Sequence, residues 1–422
     1  MKFVLASFGT RGDVEPCVTV GRELLRRGHD VRMAVPPDLV GFVESAGLAA
    51  VATGPDVHSI LDDHRKFWTQ FFSKPWRIHD LIRLRREVRE PVTRYWTEIS
   101  TTLKSLADGA DLLCTSLNFE GAAANVAEYY DIPLATLHYF PVRASGQLLP
   151  ILPPPLSRSL MKAFDWLGWR AEKKFEDVQR RELGLPKATR PWTRRIAERG
   201  SLEIQAYDEV CFPGLAAEWA EFDGRRPFVG ALTLELPTDA DEQVTSWIAA
   251  GPPPIFFGFG SIPVESPADT VSMISAACTQ LGERALICSA GTDFSGAPHF
   301  EHVKMVGTVN YAAIFPACRV IVHHGGTGTT AIGLRAGVPT LILSTDLDQT
   351  LWGSRVKQLK VGLARRLSST NQESLVADLS TVLAPDYASR AREIATQMTK
   401  AAESVAAAAD LVERTAHLRH VS

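Results

Sequence analysis

Between Arg319 and Trp352 the chain reads as strand, glycine-rich turn, helix and second strand, and no other stretch restricts the fold as much. The β-branched run Val320-Ile321-Val322 ends in His323-His324. Gly325-Gly326-Thr327-Gly328-Thr329-Thr330 follows, then an Ala/Leu-rich helix, a buried strand from Thr340 to Leu343, and the pair Asp348-Gln349. A glycine turn that opens a helix presents bare N–H groups and the positive end of the helix dipole, which suits a phosphate or pyrophosphate. The flanking histidine adds a donor or a positive charge. Asp348 and Gln349 can bond sugar hydroxyls. Together these residues predict a nucleotide-sugar site.

A dinucleotide site competes with this reading. Gly326-x-Gly328-x-x-Ala331 fits the fingerprint G-x-G-x-x-G/A, and Asp346 and Asp348 follow at about the distance of a ribose-binding carboxylate. Against an NAD enzyme stand the late position of the motif, the two histidines before it, and the glutamine beside the acidic residue. A turn with no ligand is disfavoured because this many glycines cost conformational entropy unless something needs close backbone approach.

The rest of the chain sets the frame. Its 422 residues suffice for two or three domains. A net charge of −3 favours neither nucleic acid nor an anionic membrane globally. Six scattered cysteines include no C-x-x-C pair; Cys114, Cys288 and Cys318 read as buried thiols in a reducing cytoplasm. Met1 to Phe8 is too short for a signal peptide and reads as a first strand. No run of roughly 18 apolar residues predicts a transmembrane helix. Strands are expected at Phe3–Phe8, Val31–Val35, Leu112–Thr115 and Pro133–His138, with helices at Val14–Arg27 and Phe119–Tyr129 between them. The second half repeats the scheme from Ile255 onward, after a polar linker near Leu234–Gln243. Alternation of this kind predicts an α/β protein with two Rossmann-like, doubly wound parallel sheets. The expected domains are 1–233, which binds the acceptor, and 244–386, which binds the nucleotide-sugar, facing each other across a cleft. A helical tail, 387–422, is expected to pack back on the first domain.

The first strand runs into Phe8-Gly9-Thr10-Arg11-Gly12-Asp13-Val14-Glu15-Pro16. The lysine of a Walker A loop is missing. Asp13 can act as a general base on an acceptor hydroxyl, or it can simply cap the first helix. Glu15 reads as a partner of the helix dipole.

FGTRGDVEP, GFGS at Gly258–Ser261, FPACRVIVHHGGTGTT, AGVPTLI and DQTLWG stand in register along nearly the whole chain. This set resembles the family 1 inverting glycosyltransferases of the GT-B fold, in the actinobacterial branch that decorates glycopeptides and glycolipids; sterol glucosyltransferases carry similar elements. The resemblance implies Asp13 as catalytic base. It implies donor contacts from Ser261, Val309, Asn310, His324, Gly326, Thr327, Gly328, Thr329, Asp348 and Gln349. His323 reads as a packed core histidine. Thr350 replaces the proline common after Asp-Gln, and Tyr311 stands near the position where plant members begin their donor motif with tryptophan. The resemblance implies a TDP- or UDP-sugar as co-substrate, with no cofactor and no metal; no His/Cys cluster with metal spacing is seen.

Residues 65–96 and 148–175 combine arginines and lysines with aromatics, among them Trp68, Trp76, Phe164, Trp166 and Trp169. Such segments either lie on an anionic membrane or wall an acceptor pocket. Both suit a large amphiphilic acceptor, lipid-linked or peptidic, met in the cytoplasm or at the inner face of the membrane. Two other readings are a GT-B epimerase of UDP-sugars, which would need more carboxylates than can be placed, and a catalytically silent binding protein.

Overall fold

A computed structural model describes residues 1–57, 67, 70, 77, 80, 83–84, 87, 94–148, 152–222, 224–260, 266–289 and 292–421. Ser261 and most of the basic-aromatic stretch 65–96, including Trp68 and Trp76, lie outside the described residues. The described residues form two compact units: those up to Leu234 and from Thr399 onward make the first, and those of 235–398 the second.

The first unit contains β1 (Lys2–Ala6), β2 (Asp30–Val35), β3 (Ala49–Ala52), β4 (Leu112–Ser116), β5 (Leu134–His138) and β6 (Leu202–Gln205). The second contains β7 (Ile255–Gly258), β8 (Ala285–Cys288), β9 (Val303–Val306), β10 (Val320–His323), β11 (Thr340–Ser344) and β12 (Gly362–Arg366). The helices of the first unit are α1 (Arg11–Arg26), α2 (Val40–Ser45), α3 (Trp96–Ala107), α4 (Glu120–Tyr130), α5 (Pro154–Glu182), α6 (Trp192–Glu198) and α7 (Leu215–Trp219). Those of the second are α8 (Asp241–Ala249), α9 (Pro267–Leu281), α10 (Tyr311–Ile314), α11 (Thr327–Arg335), α12 (Leu347–Leu359), α13 (Gln372–Val382) and α14 (Pro385–Ala395); α15 (Ala401–Val421) belongs again to the first unit.

Each sheet has six strands, in the orders β3-β2-β1-β4-β5-β6 and β12-β11-β10-β7-β8-β9, and every pairing is parallel. Helices cover the faces, so the central strands are buried on both sides and read as continuous apolar runs; β4, β5, β7, β8 and β10 have no exposed residue. Numbered within its own unit, each sheet has the doubly wound order 3-2-1-4-5-6. The order reverses between β1 and β4 in one unit and between β7 and β10 in the other. Ligands of such sheets bind beyond the carboxyl ends of the strands at that reversal.

The elements differ from the sequence expectation in places that have physical causes. α1 starts at Arg11, before the apolar spacing begins at Val14, because Thr10 and Asp13 cap it. α8 starts at Asp241, inside the segment read as linker, where Thr238 donates to Asp241 through both its backbone N–H and its hydroxyl. The tail is two helices. α14 packs on α11 in the second unit, and the chain returns to the first unit at Thr399, rather than at residue 387. There α15 lies on α1, burying Ala408, Ala409, Val412 and Ala416. Arg27 bonds Asp410 at 2.7 Å and Glu413 at 2.5 Å, and His29 bonds Glu413.

Candidate functional site

In the first unit, β1 ends at Ala6 and the chain turns through Gly9 at φ +130°. A Cβ at Gly9 would stand 2.3 Å from Asp13 Oδ2, so only glycine fits. Thr10 donates to Asp13 Oδ2 from its backbone N–H at 2.6 Å and from its hydroxyl at 2.9 Å. The Tyr139 hydroxyl donates to Asp13 Oδ1 at 2.5 Å. Asp13 therefore caps α1 and is also held by Tyr139, just past the end of β5; its carboxylate is half-buried at the β1/β4 reversal. Glu15 accepts the Leu234 N–H at 3.0 Å and pairs with Arg11 at 3.3 Å, which makes it a structural carboxylate; burial pushes its pKa up.

Tyr139 is the residue that sequence reading missed. Its one signal was a position just past the carboxyl end of a predicted strand, where site residues of such sheets gather. The segment that carries it is fixed from below by buried ions. Glu120 accepts from His138 at 2.6 Å and from Arg143 at 2.8 and 3.0 Å. Arg143 also bonds Glu203, which takes a further bond from Arg226 at 2.9 Å. Burial opposes the Glu120 charge, but Arg143 and His138 outweigh it and hold the pKa at about 2.

In the second unit, His323 is the last residue of β10 and is buried. Its Nδ1 accepts the Gly325 N–H at 3.0 Å, which puts the ring proton on Nε2. It thus shapes the glycine turn from inside the core. Gly325 adopts φ +101°, and a Cβ there would meet Ile342 at 2.8 Å. The His324 ring lies between two glycines: a Cβ at Gly260 would be 2.6 Å from it and one at Gly326 2.5 Å. Burial lowers the His324 pKa to about 4, against the opposing effects of Asp348 and of a bond to the Gly258 backbone. The ring is therefore neutral near pH 7, and its Nδ1 is buried without a partner among the described residues.

Gly326 is the N-cap of α11, so Thr327, Gly328 and Thr329 form the first turn, at the positive end of the helix dipole. These residues and His324 follow β10 at the β7/β10 reversal.

Asp346 caps α12, accepting from the Gln349 N–H at 3.2 Å. Gln349 is 5% exposed. Its Oε1 accepts twice from Thr345, at 2.8 and 3.0 Å, and its Nε2 donates to Asp346 at 2.6 Å. Most of that amide is spent inside the turn, whereas Asp348 is half-buried and close enough to influence His324. Thr350 bonds the Asp346 carbonyl through both its N–H and its hydroxyl, at 3.2 and 2.6 Å. A proline there would lose the first of these. Val309 is buried, and Asn310 caps α10 while its own N–H goes to Asp241 at 2.8 Å. Tyr311 stacks on Phe315 at 4.8 Å and meets Phe256 edge-on, so one ring face is committed to the core. Among the described residues no group of His, Cys, Asp and Glu is placed to hold a metal ion.

Two doubly wound parallel sheets, with glycine turns at both reversals, define a GT-B glycosyltransferase fold. Comparison with known proteins agrees. Residues 3–96 match the glycosyltransferase family 28 N-terminal domain, and residues 285–418 match the erythromycin biosynthesis protein CIII-like C-terminal domain. An uncharacterized glycosyltransferase of Mycobacterium bovis is 61% identical over 98% of both chains. A sterol 3-beta-glucosyltransferase of Arabidopsis thaliana is 26% identical over 98% of this chain and 68% of its own length. The crystal structure of the glycosyltransferase VinC in complex with dTDP superposes with a TM-score of 0.65 at 18% identity, covering 99% of this chain and 100% of VinC. The chain belongs to this family of glycosyltransferases.

Proposed function

We propose that the protein is an inverting, metal-independent family 1 glycosyltransferase. It moves a hexose or deoxyhexose from a TDP- or UDP-sugar to a hydroxyl of a lipid-linked, peptidic or natural-product acceptor. The observation that carries the reading is the placement of Asp13 and of the His324-to-Thr329 turn at the switch points of their own sheets. The TDP complex of VinC supports the donor class, and the sterol-glucosylating relative supports an amphiphilic acceptor.

In this reading Asp13 takes the proton of the acceptor hydroxyl. The freed oxygen attacks the anomeric carbon from the face opposite the nucleotide, the bond to the diphosphate breaks, and the configuration inverts. The leaving diphosphate gains charge. The first-turn N–H groups of α11 and its dipole stabilise that charge, with His324 beside them. A neutral imidazole has one N–H, and here the ring donates to Gly258. A bond from Nδ1 to a phosphate then requires a second ring proton, which the dianion itself favours. With these groups taking the leaving charge, no divalent ion is called for. Asp348, with the remaining amide hydrogen of Gln349, is assigned to the sugar hydroxyls, Ser261 to a donor phosphate, and Val309 and Asn310 to the base.

The test pairs nucleotide binding with turnover. Thermal stabilisation by dTDP or UDP and none by NAD is expected. A ligand at about 100 times its Kd adds roughly 2.7 kcal/mol to stability. Stabilisation by NAD alone would assign the glycine turn to a dinucleotide and sink the proposal. Asp13→Ala is expected to cut turnover by orders of magnitude with the dTDP shift unchanged, and unaltered turnover would remove Asp13 as the base.

A further inference from the structure

α5 carries a feature that sugar transfer does not use. Its 29 residues form a rod roughly 43 Å long. One side is fixed to the first unit. Trp169 is buried and donates to Glu176 at 2.6 Å; Arg180 bonds Glu128 and Asn125 at 2.8 Å; Ser157 donates to the Ser145 carbonyl at 2.9 Å. These buried polar bonds prevent the helix from rolling. The opposite side is therefore held outward. There Leu156 is 53% exposed, Leu160 51%, Phe164 73% and Leu167 60%. Spacings of four, four and three residues put these side chains on one helical face. Trp166, 49% exposed, flanks the stripe, with the Arg170 guanidinium over its ring at 5.6 Å.

The charges around this stripe have one sign. Arg170 and Lys174 are exposed, whereas the acidic residues of the same stretch, Asp165 and Glu172, are not; Asp165 accepts from Thr193 at 2.7 Å. This is a local reversal on a chain of net charge −3. Large aliphatic and aromatic side chains bordered by lysine and arginine form the pattern of a helix that lies in the plane of a bilayer interface, with the apolar face in the acyl boundary and the cations at anionic headgroups. Contiguous exposed apolar surface of this kind needs a partner, and the single sign of charge selects an anionic one.

We infer that the outward face of α5 docks on an anionic lipid bilayer, with Leu156, Leu160, Phe164, Trp166 and Leu167 inserting and Arg170 and Lys174 meeting the headgroups. This contact is separate from the assignment of donor and base, and it fails or stands without them. No helix among the described residues is long and apolar enough to cross a membrane, so attachment through α5 would be peripheral.

The test is flotation of the full chain with vesicles of phosphatidylcholine alone and with about 30% phosphatidylglycerol. Binding to the anionic vesicles at low salt is expected. F164E/L167E is expected to weaken it at least tenfold, and R170E/K174E to weaken it similarly. Both variants change exposed side chains only, and unchanged melting temperatures would show that they fold. Three results would overturn the inference: no flotation of the wild type with anionic vesicles at low salt; F164E/L167E floating like the wild type; or a wild-type dimer that F164E/L167E converts to monomer, which would assign the face to a second copy. Loss of turnover on a soluble acceptor, with flotation intact, would assign it to the acceptor instead. The dTDP thermal shift reads the glycosyltransferase proposal separately, so failure of one leaves the other measurable.

Discussion

The two histidines at the end of β10 look alike in sequence and do different things. His323 is turned into the core and receives the Gly325 N–H, while His324 is wedged between Gly260 and Gly326. Both are buried groups whose charged form is disfavoured: His323 well below its ordinary pKa of 6.5, His324 down to about 4. The unfolded chain binds these protons as pH falls through 6.5, and the folded chain does not, so protonation favours unfolding. Stability from His324 is thus full above pH 6.5 and is lost as pH drops from there toward about 4, and His323 acts in the same direction. Denaturant unfolding at pH 7 and pH 5 is expected to show lower stability at pH 5, and His324→Phe is expected to reduce the difference to the part that His323 contributes. An equal slope in the variant would refute the assignment. Glu120 acts in a separate window: its stabilising charge is present above pH 4.5 and is lost as pH falls toward about 2.

At the scale of elements, sequence reading named every central strand and one edge strand, β9 at Val303–Val306, and those it passed over have reasons to be hard to see. β3 is Ala49–Ala52 at a sheet edge, small and largely exposed. β12 is the opposite kind of edge, beginning at Gly362, where a Cβ would strike the Thr340 carbonyl at 1.7 Å, and continuing into Arg365 and Arg366. β6 is wholly buried yet carries Glu203 and Gln205, polar residues tolerated only because Arg143, Arg226 and Tyr207 satisfy them. That cluster couples β5, β6 and the segment bearing Tyr139. Removing one partner of a buried ion cluster leaves an uncompensated charge and costs about 3–5 kcal/mol. Arg143→Ala is expected to destabilise the first unit by that order in denaturant unfolding and to lower turnover through Tyr139 and Asp13. A variant as stable as the wild type would mean that the cluster does not hold the strand ends.

At the scale of the whole molecule, the chain leaves its first unit at Leu234 and returns to it at Thr399. The return is structural: α15 fills the sheet face beside α1, and Arg27 and His29 bond it there. Val412, fully buried, contributes about 1.5–3 kcal/mol by itself. Ending the chain after Met398 is expected to make the first unit melt well below the second and become open to protease, as limited proteolysis would show. Equal protease resistance of the shortened chain would make α15 dispensable.

The sequence alone determined the α/β alternation, the glycine turns and the chemistry of the residues around them, because these depend on local spacing and on residue type. The Asp13 loop, the His-Gly-Gly turn and the Asp-Gln pair were legible for that reason. Only the tertiary structure decided which sheet reversal each turn occupies, that Tyr139, 126 residues away and just past the end of β5, reaches Asp13, that Gln349 spends its amide in its own turn, and that the apolar stripe of α5 faces outward. Those outcomes depend on contacts between distant segments and on burial, and neither quantity is carried by neighbours in the chain.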